Sequence, residues 1–305
     1  MSGSREHRGA LLAALLVTFL WSTSWVLIRW GLDGEALSPI VFAGLRYLLA
    51  AGLLTALVAA APRLRSEVVS LEGRRWRQLA VLGLVFVAVA QGAQFVAIDS
   101  QPAATSSLVL ALTPLLVTVV STAALGEKPT GRQVAGALLI VTGAAAYFSG
   151  ELGFTAVGMA ASIIGLVANA AAALIGRGVN RRRDLSPVVV TVASMTVGAV
   201  ALMVVGITME GLPSISARAW LIIGWLAAVN TAWAFTIWNR SLQRLSATES
   251  AAVNNTMLIQ IGLLAWLFLD EAPGPFDLLG MGGVSLGVYL AQRPRSEAKT
   301  TDRGL

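Results

Sequence analysis

Long apolar runs alternate with short polar ones along almost the whole chain. Ten of them approach the ~20 residues that a helix needs to cross ~30 Å of hydrocarbon. They lie at roughly 10–31, 39–61, 77–98, 102–125, 130–149, 153–176, 187–209, 219–239, 246–269 and 276–292. Each is predicted to be a transmembrane helix, the last a short one. Ser38-Pro39 and Ser186-Pro187 read as an N-cap followed by the first helical position. Most connections are short, so sequence neighbours are predicted to pack as antiparallel hairpins. The longest connections, 62–76 and 177–186, are polar and rich in arginine. Arg5 and Arg8 precede the first run, as they would in a signal peptide. That run extends through Trp21 to Trp30 without a small-x-small cleavage site, so it is read as a retained span.

Basic residues are distributed unevenly among the connections. With the N-terminus in the cytoplasm, nineteen of the 22 Lys and Arg residues fall in cytoplasmic segments and one, Arg218, falls outside; Arg29 and Arg46 lie within runs. This is the positive-inside pattern. It orients the chain with both termini cytoplasmic, residues 293–305 forming a cytoplasmic tail. It also supports a count of ten, because losing one helix would invert every later connection.

Part of the chain is used twice. Glu127 and Glu271 are 144 positions apart, as are Pro129 and Pro273, Gly136 and Gly280, and Gly143 and Gly287. Four matches at one offset, across a turn and the helix after it, indicate an internal duplication. Ten helices then divide into two five-helix repeats, 10–149 and 153–292. An odd number of helices per repeat reverses the second, giving inverted-topology symmetry about an axis in the membrane plane. Halves that face opposite ways can exchange conformations and so turn an outward-open cavity into an inward-open one.

Composition narrows the function. The chain is 56% hydrophobic and 12% charged, whereas a soluble domain is about a quarter charged. It must therefore face lipid, as an all-α integral membrane protein. Cysteine is absent, which removes disulfides, Cys-ligated zinc and thiol catalysis. The net charge of +6 belongs to cytoplasmic loops, so no nucleic-acid partner is expected. The single histidine, His7, lies in the N-terminal segment before the first run, and no paired acid–base motif lies within the runs, so no enzyme is expected. No Walker-type lysine follows the Gly-rich segments, so no ATP drive, cofactor or metal is expected.

The stretches WSTSWVLIRWGL, SPIVFAGLRYLLA and LTPLLVTVVSTAALGEKPTGRQVAGALLIVTG in the first half, and FLDEAPGPFDLLGMGGVSLGVYL in the second, resemble the drug/metabolite transporter superfamily, in particular its EamA-type members with ten helices. The resemblance covers nearly the whole chain. The second half departs from the pattern, since Leu258 stands opposite Pro114 and the ninth run carries Asn254-Asn255-Thr256. The resemblance implies a secondary transporter that moves small metabolites such as amino acids, or drugs. It implies a cavity lined by the first, third, fourth, sixth, eighth and ninth helices.

Polar groups inside lipid are costly and need a reason. Arg46 lies eight residues after Ser38, about 12 Å deep at 1.5 Å per residue. It is read either as a cation meeting a solute carboxylate or as an arginine that snorkels or caps carbonyls. Gln91 and Gln94, Asn169, Asn230 with Trp233 after it, and Asn254, Asn255 and Gln260 form the amide set. Each can serve as glue between helices. Because the polar residues concentrate in the third, eighth and ninth runs while the fifth and tenth carry almost none, the set is expected to face a shared cavity. The fifth and tenth helices are then the scaffold. Trp21 and Trp25, four apart, share a face and line either the cavity or the core. Pro114 in mid-run frees a carbonyl and is read as a hinge or a tolerated kink. The Gly-rich ends allow close helix packing. For coupling to protons the candidates are Asp99, Glu249 and Asp270, all near helix ends, with Glu249 the best placed and helix-dipole stabilisation its other role.

The expected function is alternating-access export of small organic solutes, amino acids or related amines, across the cytoplasmic membrane of a bacterium. The alternatives are a nucleotide-sugar or sugar-phosphate exchanger, which would want clustered cations, and a non-transporting scaffold or receptor. The expected partners are a small-molecule solute and the lipid bilayer, with self-association as a homodimer left open.

Overall fold

The computed structural model describes residues 2–292 apart from 114, 118, 121–130, 148, 151–152, 181–184, 212 and 243–246. Pro114, the expected hinge, lies outside the described residues, as does the turn with Glu127. The described residues form helices and connections, with no strand among them. In chain order the helices are α1 (Ser2–Leu32), α2 (Pro39–Ala60), α3 (Pro62–Val69), α4 (Gly73–Ser100), α5 (Ala103–Leu110), α6 (Gly131–Tyr147), α7 (Ala156–Asn180) and α8 (Pro187–Glu210). Three continuous segments, Ala217–Trp225, Leu226–Trp233 and Ala234–Leu242, make α9; α10 (Ala247–Leu269) and α11 (Pro275–Gln292) follow. Helix is found in each of the ten apolar runs. Among the described residues, six helices, α1, α2, α4, α7, α8 and α9, contain stretches long and apolar enough to cross a membrane. Large side chains such as Leu53, Leu57, Val167, Val204 and Leu221 are exposed along their flanks, a surface suited to lipid.

Local chemistry sets the helix starts. The Ser38 hydroxyl accepts the Val41 N–H at 3.2 Å and the Ser186 hydroxyl accepts that of Val189 at 3.3 Å, each with proline at the next position. Each satisfies one of the orphan amides of a first turn. Ser216 caps α9 in the same way through Ala219. The connection 62–76 is not a plain loop: it contains α3. No residue of α3 is fully buried, and only Leu64 and Val68 rest against the core. A helix with so little apolar surface leaves no mark on hydropathy; its one local sign is Pro62 at the first position.

Packing follows small residues. A Cβ built on Gly280 would lie 2.6 Å from the Gly143 carbonyl oxygen and the Tyr147 nitrogen; one on Gly143 would lie 2.7 Å from the Val284 nitrogen. The backbones of α6 and α11 therefore touch directly, as small residues permit. Around that seam Ile140, Tyr147, Met281, Val284 and Val288 are buried together with Leu108 and Leu258. The main core is a separate and larger cluster. It is centred on α2, with Val41, Phe42 and Leu54 packed against Phe95, Ala199, Leu202, Ile223 and Leu226.

Two helices change winding in mid-course. Leu84–Gln91 in α4 and Leu226–Trp233 in α9 are π-helical, eight residues each. A π segment withdraws carbonyls from the i→i+4 ladder and recurs at functional sites. In α9 the Thr231 hydroxyl donates at 2.8 Å to the Leu226 carbonyl, five residues back.

Candidate functional site

The serine- and threonine-rich part of α1 makes a polar seam with α9 and α10. Asn230 is fully buried within the π segment of α9. Its amide nitrogen donates to the Leu20 carbonyl, to Thr23 Oγ1 at 3.1 Å and to Ser24 Oγ at 2.9 Å. In return the Trp21 indole donates to the Asn230 backbone carbonyl at 3.0 Å, with its ring against Phe235 and Trp238. Within the same stretch of α1, Ser22 Oγ donates to Gln260 Oε1 at 2.9 Å. The Gln260 amide reaches Thr256 at 3.1 Å and Thr18 at 3.4 Å. Hydrogen bonds between membrane helices are worth ~0.6–2 kcal/mol each, so this seam also holds α1 in place. The Asn230 Oδ1 atom has no partner among the described residues.

Beside the seam lies a second cluster. Arg46 of α2 is 5% exposed. Its Nε donates to Thr231 Oγ1 at 3.1 Å, and its guanidinium lies 5.3 Å from the Tyr47 ring centre and 5.8 Å from that of Phe95. The Tyr47 hydroxyl donates to Gln91 Oε1 at 2.6 Å, at the end of the π segment of α4. Arg46 is thus buried, and its hydrogen bond among the described residues goes to a hydroxyl and not to a helix carbonyl. No carboxylate pairs with it among the described residues. Buried charges are normally paired, so a guanidinium held by one hydroxyl and two rings lacks an anion.

Other candidates fall elsewhere. Trp25 is buried in the main core with Ile28, Leu32 and Phe42. Asn169 donates to the Gly165 carbonyl of its own helix at 2.8 Å instead of reaching a neighbour. Gln94 is half-buried with no hydrogen bond among the described residues. Trp233 is 48% exposed and Asn254 is exposed. Asn255 and Glu249 lie in α10, but their side chains are outside the described residues. The structure therefore groups Trp21, Arg46, Gln91 and Asn230, and adds Tyr47, Thr231 and the hydroxyls of α1. Only the cluster WSTSW and the Asn-Thr pair at 230–231 hinted at these additions. No group of three or more metal-ligating side chains occurs among the described residues.

A cavity of about 510 Å³ opens at the end of the bundle where α1 finishes, lined by Arg29, Gln101, Phe154, Thr155, Leu269 and Glu271 among others. Glu271, which follows α10, accepts the backbone N–H groups of Ala103 at 3.0 Å and Ala104 at 3.3 Å. It lies 3.6 Å from the Arg29 guanidinium. Burial pushes the Glu271 carboxyl above its ordinary range, against the opposing pull of the two amides and Arg29. Asp99 is exposed, and its part here is to offer its backbone carbonyl to Arg29 at 3.0 Å.

A solved crystal structure shares this fold, with a TM-score of 0.63 at 20% identity over 94% of this chain and 98% of that one. A curated relative from Streptantibioticus cattleyicolor, described as a probable terminal-alkyne amino-acid exporter, is 27% identical over 96% of this chain and 98% of its own length. The model of the EamA-like transporter family matches twice, at residues 8–149 and 156–292. With its apolar helices and its buried polar centre, the chain is a multi-pass membrane protein and belongs to the EamA-like transporter family.

Proposed function

We propose that this transporter exports amino acids or closely related amines across the cytoplasmic membrane of a bacterium. It does so by alternating access between two inverted five-helix halves, 10–149 and 153–292, with both termini in the cytoplasm. The observation that carries the reading is Arg46: a buried guanidinium without a counter-ion among the described residues is matched by a solute carboxylate, which would pair with it and reduce its desolvation cost. Asn230 supplies an amide oxygen without a donor among the described residues, which suits a solute ammonium. The relative described as an amino-acid exporter points the same way. Sugar-phosphate exchange is less well served, because Arg46 is the one fully buried cation among the described residues.

Flux in proteoliposomes tests the solute class. Labelled amino acids are expected to be carried, and the amines that lack only the carboxylate are expected to be carried at least about tenfold less well, the effect of one charge-assisted bond. Equal flux of amine and amino acid would remove the pairing of a solute carboxylate with Arg46, and preference for a phosphorylated sugar would remove the solute class itself. Reporter fusions test the topology. Fusions after residues 35 and 151 are expected outside, and those after 70 and 181 inside; one reversal ends the inverted arrangement.

A further inference from the structure

We propose that Glu271 and Arg29 are the latch that closes the outer face of this transporter, and that solute leaves only when they part. The inference rests on the alternating-access reading and orientation given above. One ion pair ties four segments together. Glu271, after α10, holds the first two amides of α5, and Arg29, in the last turn of α1, holds Glu271. The Arg29 guanidinium also donates to the carbonyl of Asp99 at the end of α4 and to that of Gln101 in the turn before α5. The start of α5 has no side-chain cap of its own, since Pro102 stands at the N-cap position. Its cap comes from a residue 167 and 168 positions away, in the other proposed half of the protein. A structural cap is usually local, three residues from its amide; one supplied across two bodies that move must break when they move.

The surroundings make the latch reversible. Gln101 lines the cavity and is 3% exposed. Its amide nitrogen donates to Ser106 Oγ at 2.9 Å and Ser162 Oγ at 3.0 Å, while its Oε1 has no partner among the described residues. A buried acceptor without a donor is costly, and water entering from the cavity would satisfy it. Desolvation also opposes the ionised Glu271. Opening therefore recovers part of what the broken ion pair and cap lose. The opposite end of α1 packs, among the described residues, in an apolar cluster of Ala10, Ala14 and Val253 with Leu11, Leu15 and Trp238 around them.

The chain contains no cysteine, so Ser106→Cys introduces a single thiol directly behind Gln101. In cells and in inverted vesicles, a membrane-impermeant maleimide reports its access from each face. Added Glu271→Ala is expected to raise labelling from outside by about tenfold and to lower it from inside, as a shifted two-state population requires. Arg29→Gln keeps the cap and removes the pair, so a smaller rise of about threefold is expected. Wild-type labelling rates in both variants would overturn the latch, and so would faster labelling from both faces, the sign of a merely loosened fold. If Glu271→Ala does not reach the membrane, Arg29→Gln decides alone. A Ser106→Cys thiol reached from neither face in any variant would overturn alternating access itself, and the latch with it.

Discussion

Replacing Arg46 by glutamine is expected to abolish flux of a carboxylate-bearing solute while leaving the protein inserted and no less stable. Removing one partner of a buried, hydrogen-bonded charge pair costs ~2–5 kcal/mol, or roughly 30-fold to several thousandfold in affinity. That loss falls on the solute complex. The empty protein behaves otherwise, because here Arg46 faces Thr231, Tyr47 and Phe95, with no carboxylate paired to it among the described residues. Exchanging a lone buried charge for a neutral amide that can still reach the Thr231 hydroxyl relieves a desolvation cost. Thermal unfolding of the purified variant should therefore be unchanged or slightly higher. Arg46→Lys keeps the charge but loses the planar fork and is expected to fall between. Normal flux by the glutamine variant would end the assignment of Arg46 to the solute. Failure of that variant to insert would show that the guanidinium serves the fold.

The second large effect concerns assembly. Gly280→Val is expected to prevent α6 and α11 from packing and to leave little folded protein. The obstacles are the Gly143 carbonyl and the Tyr147 nitrogen, each 2.6 Å from the new Cβ, and backbone cannot turn aside as a side chain can. Overpacking costs ~1–3 kcal/mol where side chains can adjust; against backbone the cost is expected at or above the top of that range. Separation would also expose Ile140 and Val284, and would disturb the Tyr147 hydroxyl, 3.1 Å from Thr105 Oγ1. Gly282→Val supplies the control, since nothing lies within 4 Å of a Cβ there. Size-exclusion recovery and melting temperature of the two variants measure the difference. Equal recovery would mean that the seam can part without consequence.

Much of the bundle is readable from the chain because its causes are local. Apolar length marks where helix forms, and Ser38 and Ser186 act on amides three residues away. Gly143, Gly280 and Gly287 announce a close approach because no other side chain is as small. The helix α3 escapes such a reading because it buries almost nothing. Arg46 and Asn230 were recognisable as polar groups in apolar surroundings, but not their partners. Thr231 is 185 residues from Arg46, and Ser24 is 206 from Asn230. Which polar groups meet is decided by how helices stack, and that energy is spread over many weak contacts with no period in the sequence. The π segments are hidden for the same reason, since a change of winding trades one backbone bond for better packing and leaves composition untouched. Glu271 shows the boundary most clearly. From the chain it was a mark of duplication; only the folded bundle brings its carboxylate to the bare amides of α5, because satisfying those amides depends on which loop is carried above them.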